Sequence, residues 1–394
     1  MDSVFVHRNQ ESAPPSKGAL AGLRVAIQPN ISVVGWPTEA GSRALARYRA
    51  VEDATVVRRL RAAGARLCGS TRMSEFGFGL KGSRAGESVA GREADAELVL
   101  DLMGECRAAG LRVGVCAYKP SYGLVSRQGI VGLIPSMECC GIVSESLDVV
   151  RRVLATIAGP DEFDFSLPEE PPPDFAPAAC RPASTVGVLA EARAALPEAE
   201  KTVFESALEG LERAGFSLRE LTLPDFPLFP LVHGIVGSVE ASSSAGRYDS
   251  VRYGLRAPGA GNWNDMYLAS RREAFGTVVK SYLLQGAFFQ FERFASYEDA
   301  CRIRARLISG MDLLLGQVDL LALPAPGSEP SDGRLREVCA PYAGAMFANV
   351  TGQPVLCLPA AAPGGGGIQL AGARRGDARV LEAGERIMNL LRRD

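Results

Sequence analysis

DATVVRRLRAAGARLCGS, residues 53–70, reads as a helix that runs into a strand. Val56, Val57, Leu60 and Ala63 fall on one face of a 3.6-residue period, Asp53 and Thr55 are capping candidates, and Gly64 supplies the stop. ARLCGS then takes the short apolar pattern of a strand, and LRVAIQPN (23–30) is an earlier strand that ends at Pro29. Strand, helix, strand is the signature of a parallel α/β sheet. The fold class that follows is α/β.

The same rhythm continues outward. A helix is predicted over 93–109, a strand over 111–117 (LRVGVCA) and a helix over 145–157. TVGVLAEA (185–192) reads as a strand, 198–214 as a helix and 230–317 as largely helical. VDLLALPAP (318–326), QPVLCLPAA (353–361) and GIQLAGA (367–373) add strands before a final helix at about 378–391. Residues 1–21, polar and Pro/Ser-containing, are expected to form a loose tail. Seven prolines between 160 and 182 exclude regular structure there. A linker between domains and a long surface loop both fit that stretch.

Composition bounds the function. A chain of 394 residues allows two or three domains or one large α/β domain, and 47% apolar with 22% charged residues is ordinary for a globular protein. The net charge of −2 argues against a surface that holds nucleic acid by counterion release, so no direct nucleic-acid binding is expected. No run approaches the roughly 20 apolar residues of a membrane span, and MDSVFVHRNQ lacks the basic and apolar regions of a secretory signal. Nine cysteines without a CxxC pair suggest free thiols in a cytoplasmic protein, with no metal site and no cofactor. Only five lysines (17, 81, 119, 201, 280) and two histidines (7, 233) are available as proton-transfer bases.

Several segments, in order, carry a resemblance. GLRVAIQPNISVVGWPTEAGSRAL (22–45), DATVVRRLRAAGARLCGSTRMSEFGFG (53–79), KPSYGLVSRQGIVGLIPSM (119–137), VDLLALPAP and NVTGQPVLCLP (349–359) resemble the amidase signature family. EASSSAGRYDSVRYG (240–254) and SRREAFGTVVKSYLLQG (270–286) are similar, within it, to the A subunit of glutamyl-tRNA(Gln) amidotransferase. The resemblance implies one large α/β/α domain over 22–394 with a mixed central sheet, and makes the Pro-rich 160–182 stretch a surface loop.

It also implies a Ser, cis-Ser, Lys triad, in which a neutral lysine, relayed through a second serine, takes the proton of the nucleophilic hydroxyl. The matching positions depart from that pattern. The family's lysine motif IKDN is IQPN here, placing Gln28, an amide with no proton to exchange near neutral pH, at the base. DTGGSIR is matched by DLMGECR (101–107), which places Glu105 at the nucleophile and Met103 where a glycine lines the oxyanion turn. The family's GGSSGGS loop has no counterpart in the shortened 80–96 segment. Its middle serine falls near Lys81, with Ser83 and Ser88 as nearby hydroxyls. Two family arginines after the lysine matching Lys280 are Ser281 and Tyr282, and a family aspartate maps near Tyr342; without these charges glutamine is a poor fit.

Each candidate carries a plain structural reading beside the chemical one. Glu105 is a general base or a replacement left after catalysis was lost; Cys106 is a nucleophile or a buried inert thiol. Lys119 matches an ordinary lysine of the family's KPTYG segment. Cys139 and Cys140 form a vicinal disulfide or stay reduced. His233 sits in an apolar run as a core histidine does, and PGGGG (363–367) lacks the Lys-Ser or Lys-Thr of a phosphate loop. Met73, Ser74, Glu75, Asp101, Gly104, Tyr282 and Tyr342 are the expected lining of a ligand site. The leading expectation is a catalytically degenerate homologue that binds a small molecule or a partner protein. The rivals are an amide or acyl transferase or hydrolase with a repurposed site, and an accessory subunit linked to tRNA amidation.

Overall fold

The computed structural model describes residues 3–10, 17–176, 180–327, 333–360 and 366–391. Its strands are β1 Phe5–Arg8, β2 Arg24–Ile27, β3 Arg66–Thr71, β4 Ala96–Asp101, β5 Cys116–Lys119, β6 Cys139–Ser144, β7 Thr185–Leu189, β8 Ser217–Leu221, β9 Leu320–Pro324, β10 Val355–Pro359 and β11 Gly367–Ala371. They form one sheet in the order β1-β3-β2-β4-β6-β5-β10-β11-β9-β7-β8. Pairings β2–β3, β2–β4, β7–β8 and β7–β9 are parallel and the rest antiparallel, so the sheet is mixed.

The helices are α1 Thr55–Ala62, α2 Glu87–Ala90, α3 Glu105–Val113, α4 Leu147–Ile157, α5 Ala190–Ala194, α6 Glu198–Arg213, α7 Leu228–Ser244, α8 Trp263–Ala274, α9 Thr277–Phe291, α10 Phe294–Leu315, α11 Leu335–Cys339, α12 Phe347–Thr351 and α13 Asp377–Leu391. They cover the sheet on both faces. Val57 and Leu60 of α1, Val153 and Ile157 of α4, Phe204 of α6 and Leu381 of α13 share one core; Ala108 of α3, Phe229 of α7, Val279 of α9 and Met311 of α10 share the other. Neighbouring residues of β4 divide between them, Leu98 to the first and Val99 to the second. The result is the α/β/α architecture expected for a sheet buried on both sides.

Four local expectations are corrected. The predicted helix 93–109 is instead the strand β4, a turn, and then α3: in AELVLD the run Leu98-Val99-Leu100 is apolar on both faces because both are buried, and such a run loses the alternation that marks a strand. The predicted strand 111–117 consequently begins late, as β5 at Cys116, because α3 runs on to Val113 before Gly114 turns it at φ +75°. Within the expected loose tail, Phe5–Arg8 pairs antiparallel with β3. Asp53 does not cap α1; its carboxylate accepts from the Val34 N–H at 2.8 Å, and Ala54 stands at the cap. Residues 11–16 of that tail, 177–179 of the Pro-rich stretch and 363–365 of PGGGG lie outside the described residues. Among the described residues no helix is long and apolar enough to cross a membrane.

Candidate functional site

The turn between β4 and α3 holds the candidate residues. Asp101 ends β4, Gly104 stands at φ +136°, a conformation L side chains rarely adopt, and Glu105 begins α3. A Cβ on Gly104 would lie 2.9 Å from Ala345 Cβ and 3.4 Å from Tyr342 Cδ1, so the turn is closely covered and open to glycine alone without strain. That conformation aims successive N–H groups at one point. Glu105 Oε2 accepts from the N–H of Leu102 at 3.0 Å, Met103 at 2.7 Å and Gly104 at 3.1 Å, and Oε1 accepts from Gly79 at 3.2 Å. The Glu105 carboxylate therefore sits in a nest of four backbone donors, at the positive end of its own helix. Burial, and after it the charge of Asp101, push the carboxyl up to about 7 against the pull of those N–H groups.

Behind the nest is a buried polar cluster. Arg107 donates through Nε and Nη2 to both oxygens of Asp101 at 3.0 and 2.9 Å, through Nη1 to Ala345 O and Gln369 Oε1 at 2.8 Å each, and through Nη2 to Asn349 Oδ1 at 2.6 Å. Those are all five of its donors. Asn349 Nδ2 returns bonds to Asp101 and to Met137 O. The guanidinium holds the Asp101 carboxyl below the usual range in spite of complete burial.

Gln28 lies beside this cluster: its Oε1 accepts from the Leu100 N–H at 2.9 Å, bracing β2 against β4. Cys106 is buried, its thiol pushed well up by burial, and packs so closely on Gly141 that a Cβ there would lie 2.5 Å from Sγ. Met73 is buried, and Ser74 Oγ donates to Gly79 O at 2.7 Å, fixing the carbonyl of the residue whose N–H serves Glu105. Tyr342 packs on Gly104 and Tyr282 edge-on against Phe78 with centroids 4.9 Å apart; burial first, and the Glu105 charge among further causes, raise both phenols.

Other candidates are placed elsewhere. Lys81 is exposed, two residues past Gly79. Ser83 Oγ accepts from Ala85 N at 3.2 Å and donates to Arg72 O at 3.4 Å. Ser88 Oγ donates at 2.6 Å to the buried carboxylate of Glu97, which also receives Thr71 Oγ1 and the Gly86 N–H and thereby ties the 80–96 segment to β4. Glu75 is likewise spent, on Ser42 Oγ at 2.7 Å and on the Gly276 N–H at the start of α9 at 2.8 Å. Lys119 is buried with Nζ donating to Pro120 O, Gln353 O and Cys139 Sγ, a structural role. Cys139 and Cys140 are free.

Two contributors stand outside the expected site residues, although His233 is buried as its apolar run led one to expect. The Gly79 N–H is backbone and has no residue-type signal. His233 on α7 is held neutral by burial, which lowers it to about 4, and its Nε2 donates to Leu102 O at 2.8 Å, fixing the nest turn from the helical layer. No group of three or more His, Cys, Asp or Glu is arranged to hold a metal among the described residues.

Comparison with known proteins gives consistent matches. A family model described as Amidase matches residues 7–89 and 112–381, two stretches that flank the nest segment. The A subunit of glutamyl-tRNA(Gln) amidotransferase from Natronomonas pharaonis is 34% identical over 407 aligned residues, 94% of this chain and 96% of the relative. The same subunit from Thermus thermophilus is 34% identical over 395 residues, 92% of this chain and 83% of the relative. The crystal structure of its Thermotoga maritima counterpart shares the fold with a TM-score of 0.78 at 23% identity, covering 96% of this chain and 85% of that one.

Proposed function

The chain belongs to the amidase signature family, and from that premise we propose that it is a catalytically degenerate homologue of the amidotransferase A subunit, serving as a binding scaffold for a partner protein or a small molecule. One observation carries this reading: the Glu105 carboxylate fills the nest. Amide cleavage with a serine nucleophile needs a hydroxyl at that turn and free N–H donors for the developing oxyanion. A glutamate there supplies no hydroxyl and saturates the donors with a charge of its own. Gln28, at the position of the family's lysine, cannot take a proton and already serves Leu100. Because the nest is filled from within, the scaffold reading favours a partner protein over a small molecule held at this turn.

A second reading has support of its own. A buried carboxyl raised to about 7 is the kind of group that moves protons at neutral pH, which favours an enzyme of amide or acyl transfer with a repurposed site. The third, an accessory subunit linked to tRNA amidation, is favoured by the extent of the match to amidotransferase A subunits.

Labelling with a fluorophosphonate separates the readings. The expected result is no adduct, and no turnover of an amide panel above buffer. Gln28→Lys alone is expected to leave both unchanged, since members of a catalytic unit do not act singly. Turnover that disappears in Glu105→Ala or Cys106→Ala would establish the repurposed enzyme instead.

A further inference from the structure

The chain has two tryptophans, and they are treated oppositely: Trp36 is 6% exposed and Trp263 56% exposed. Trp263 opens α8 and is the first rung of a ladder along one face of that helix. Its ring stacks on Tyr267 with centroids 5.0 Å apart and planes within 16°; the Arg271 guanidinium lies 4.8 Å from the Tyr267 centroid and 4.9 Å from that of Phe275. Positions 263, 267, 271 and 275 are each four residues apart, so the helix repeat itself sets the stack. Arg271 is held from behind by Ala245 O at 2.6 Å, which anchors the inner end of the ladder.

That end borders a surface cavity of about 550 Å³, lined by Arg256, Pro258, Gly259, Gly261, Trp263 and Met266 among others. The size lies within the range of small-molecule sites. The loop is anchored by the Ala257 N–H, which donates to Ser270 Oγ at 3.0 Å, while the space a Cβ would enter at Gly259 and Gly261 is open. Arg256 is exposed on the same cavity. The nearby acid, Asp265, is engaged by the Asn262 amide at 2.8 Å.

We propose that this cavity binds a planar aromatic molecule bearing an anionic group, the ring continuing the stack on Trp263 and the anion meeting Arg256. A ring face supplies stacking that tolerates any aromatic system, and a guanidinium adds preference for carboxylate or phosphate. The site lies on α8 and its preceding loop and stands independently of what occupies the nest at Glu105.

Tryptophan fluorescence of the whole protein tests it, since Trp36 is buried and quenching by a ligand reports Trp263. The probes are adenosine 5′-monophosphate, benzoate and adenosine. Saturable quenching by the monophosphate identifies a phosphate-bearing ligand and by benzoate a carboxylate-bearing one. Either supports the site. Adenosine is expected to bind about tenfold more weakly than its monophosphate, and Arg256→Ala to erase that difference. Trp263→Ala, a surface change, is expected to abolish binding of the same probes in calorimetry. Non-saturating quenching by every probe, or calorimetric binding unchanged in Trp263→Ala, overturns the proposal; adenosine binding as tightly as its monophosphate overturns the anionic part.

Discussion

Arg107→Met is expected to lower the unfolding free energy by about 3–5 kcal/mol, because it strands a fully buried Asp101 charge. The side chain is enclosed completely, and its five donors reach acceptors on β4, α12, β11 and the turn before α12. Methionine fills much of the volume but returns none of the bonds, leaving Asp101, Ala345 O, Asn349 and Gln369 each short of a partner. Urea unfolding reads the effect as a lower midpoint at unchanged slope. Pairing the change with Asp101→Asn removes the stranded charge and is expected to recover a substantial part of the loss, the sign of a charge-burial effect rather than a cavity. A single-variant loss below about 1 kcal/mol, within the range of ordinary surface ion pairs, would show that the cluster is hydrated or relaxes freely.

Glu105→Ala is expected to cost on the order of 3 kcal/mol, since it orphans four buried backbone N–H groups at once. Formate, a carboxylate without a tether, is expected to restore part of the thermal stability of this variant and none of that of the wild type. The pH dependence has a definite sign. The Glu105 carboxyl is raised in the folded protein to about 7 from the ordinary 4.5, so between those values the folded state binds the proton more tightly than the unfolded one. Stability contributed by this group is therefore greatest below pH 4.5 and falls as pH rises towards 7. Glu97, also raised to about 7 by burial, acts in the same direction. The difference between wild type and Glu105→Gln isolates Glu105: the glutamine variant is expected to gain on the wild type as pH rises from 5 to 8. A difference independent of pH would place the folded carboxyl near its ordinary value.

The fold was legible where one face of an element is dry and the other wet. The helix over 198–214 emerges as Glu198–Arg213 because Phe204, Leu208 and Leu211 repeat on a single buried face. It was illegible at β4, where Leu98 and Val99 are buried on opposite sides and a central strand resembles an apolar helix. Strand β1 is four residues long, and its pairing with β3 has no local signature. At the site, the motif resemblance singled out Gln28, Asp101 and Glu105, and the structure gathers all three around β4 and the turn that follows it. The 80–96 segment carries no motif in that register, and sequence spacing across it does not reveal that Ser88 turns to Glu97 while Lys81 is exposed. The nest itself is made of backbone, which residue types do not encode.

The partners of Arg107 also govern the order in which the protein can come together. Its acceptors at Ala345, Asn349 and Gln369 lie 238, 242 and 262 residues further along the chain. Among the described residues, Asp101 is the one side-chain acceptor of that guanidinium that is near in sequence, so β4 and α3 packed without the later elements would bury a cation with most of its donors unmet. The burial of Arg107 therefore joins β4 and α3 to α12 and β11 through contacts of long sequence separation, the kind that form slowly because loop closure precedes them.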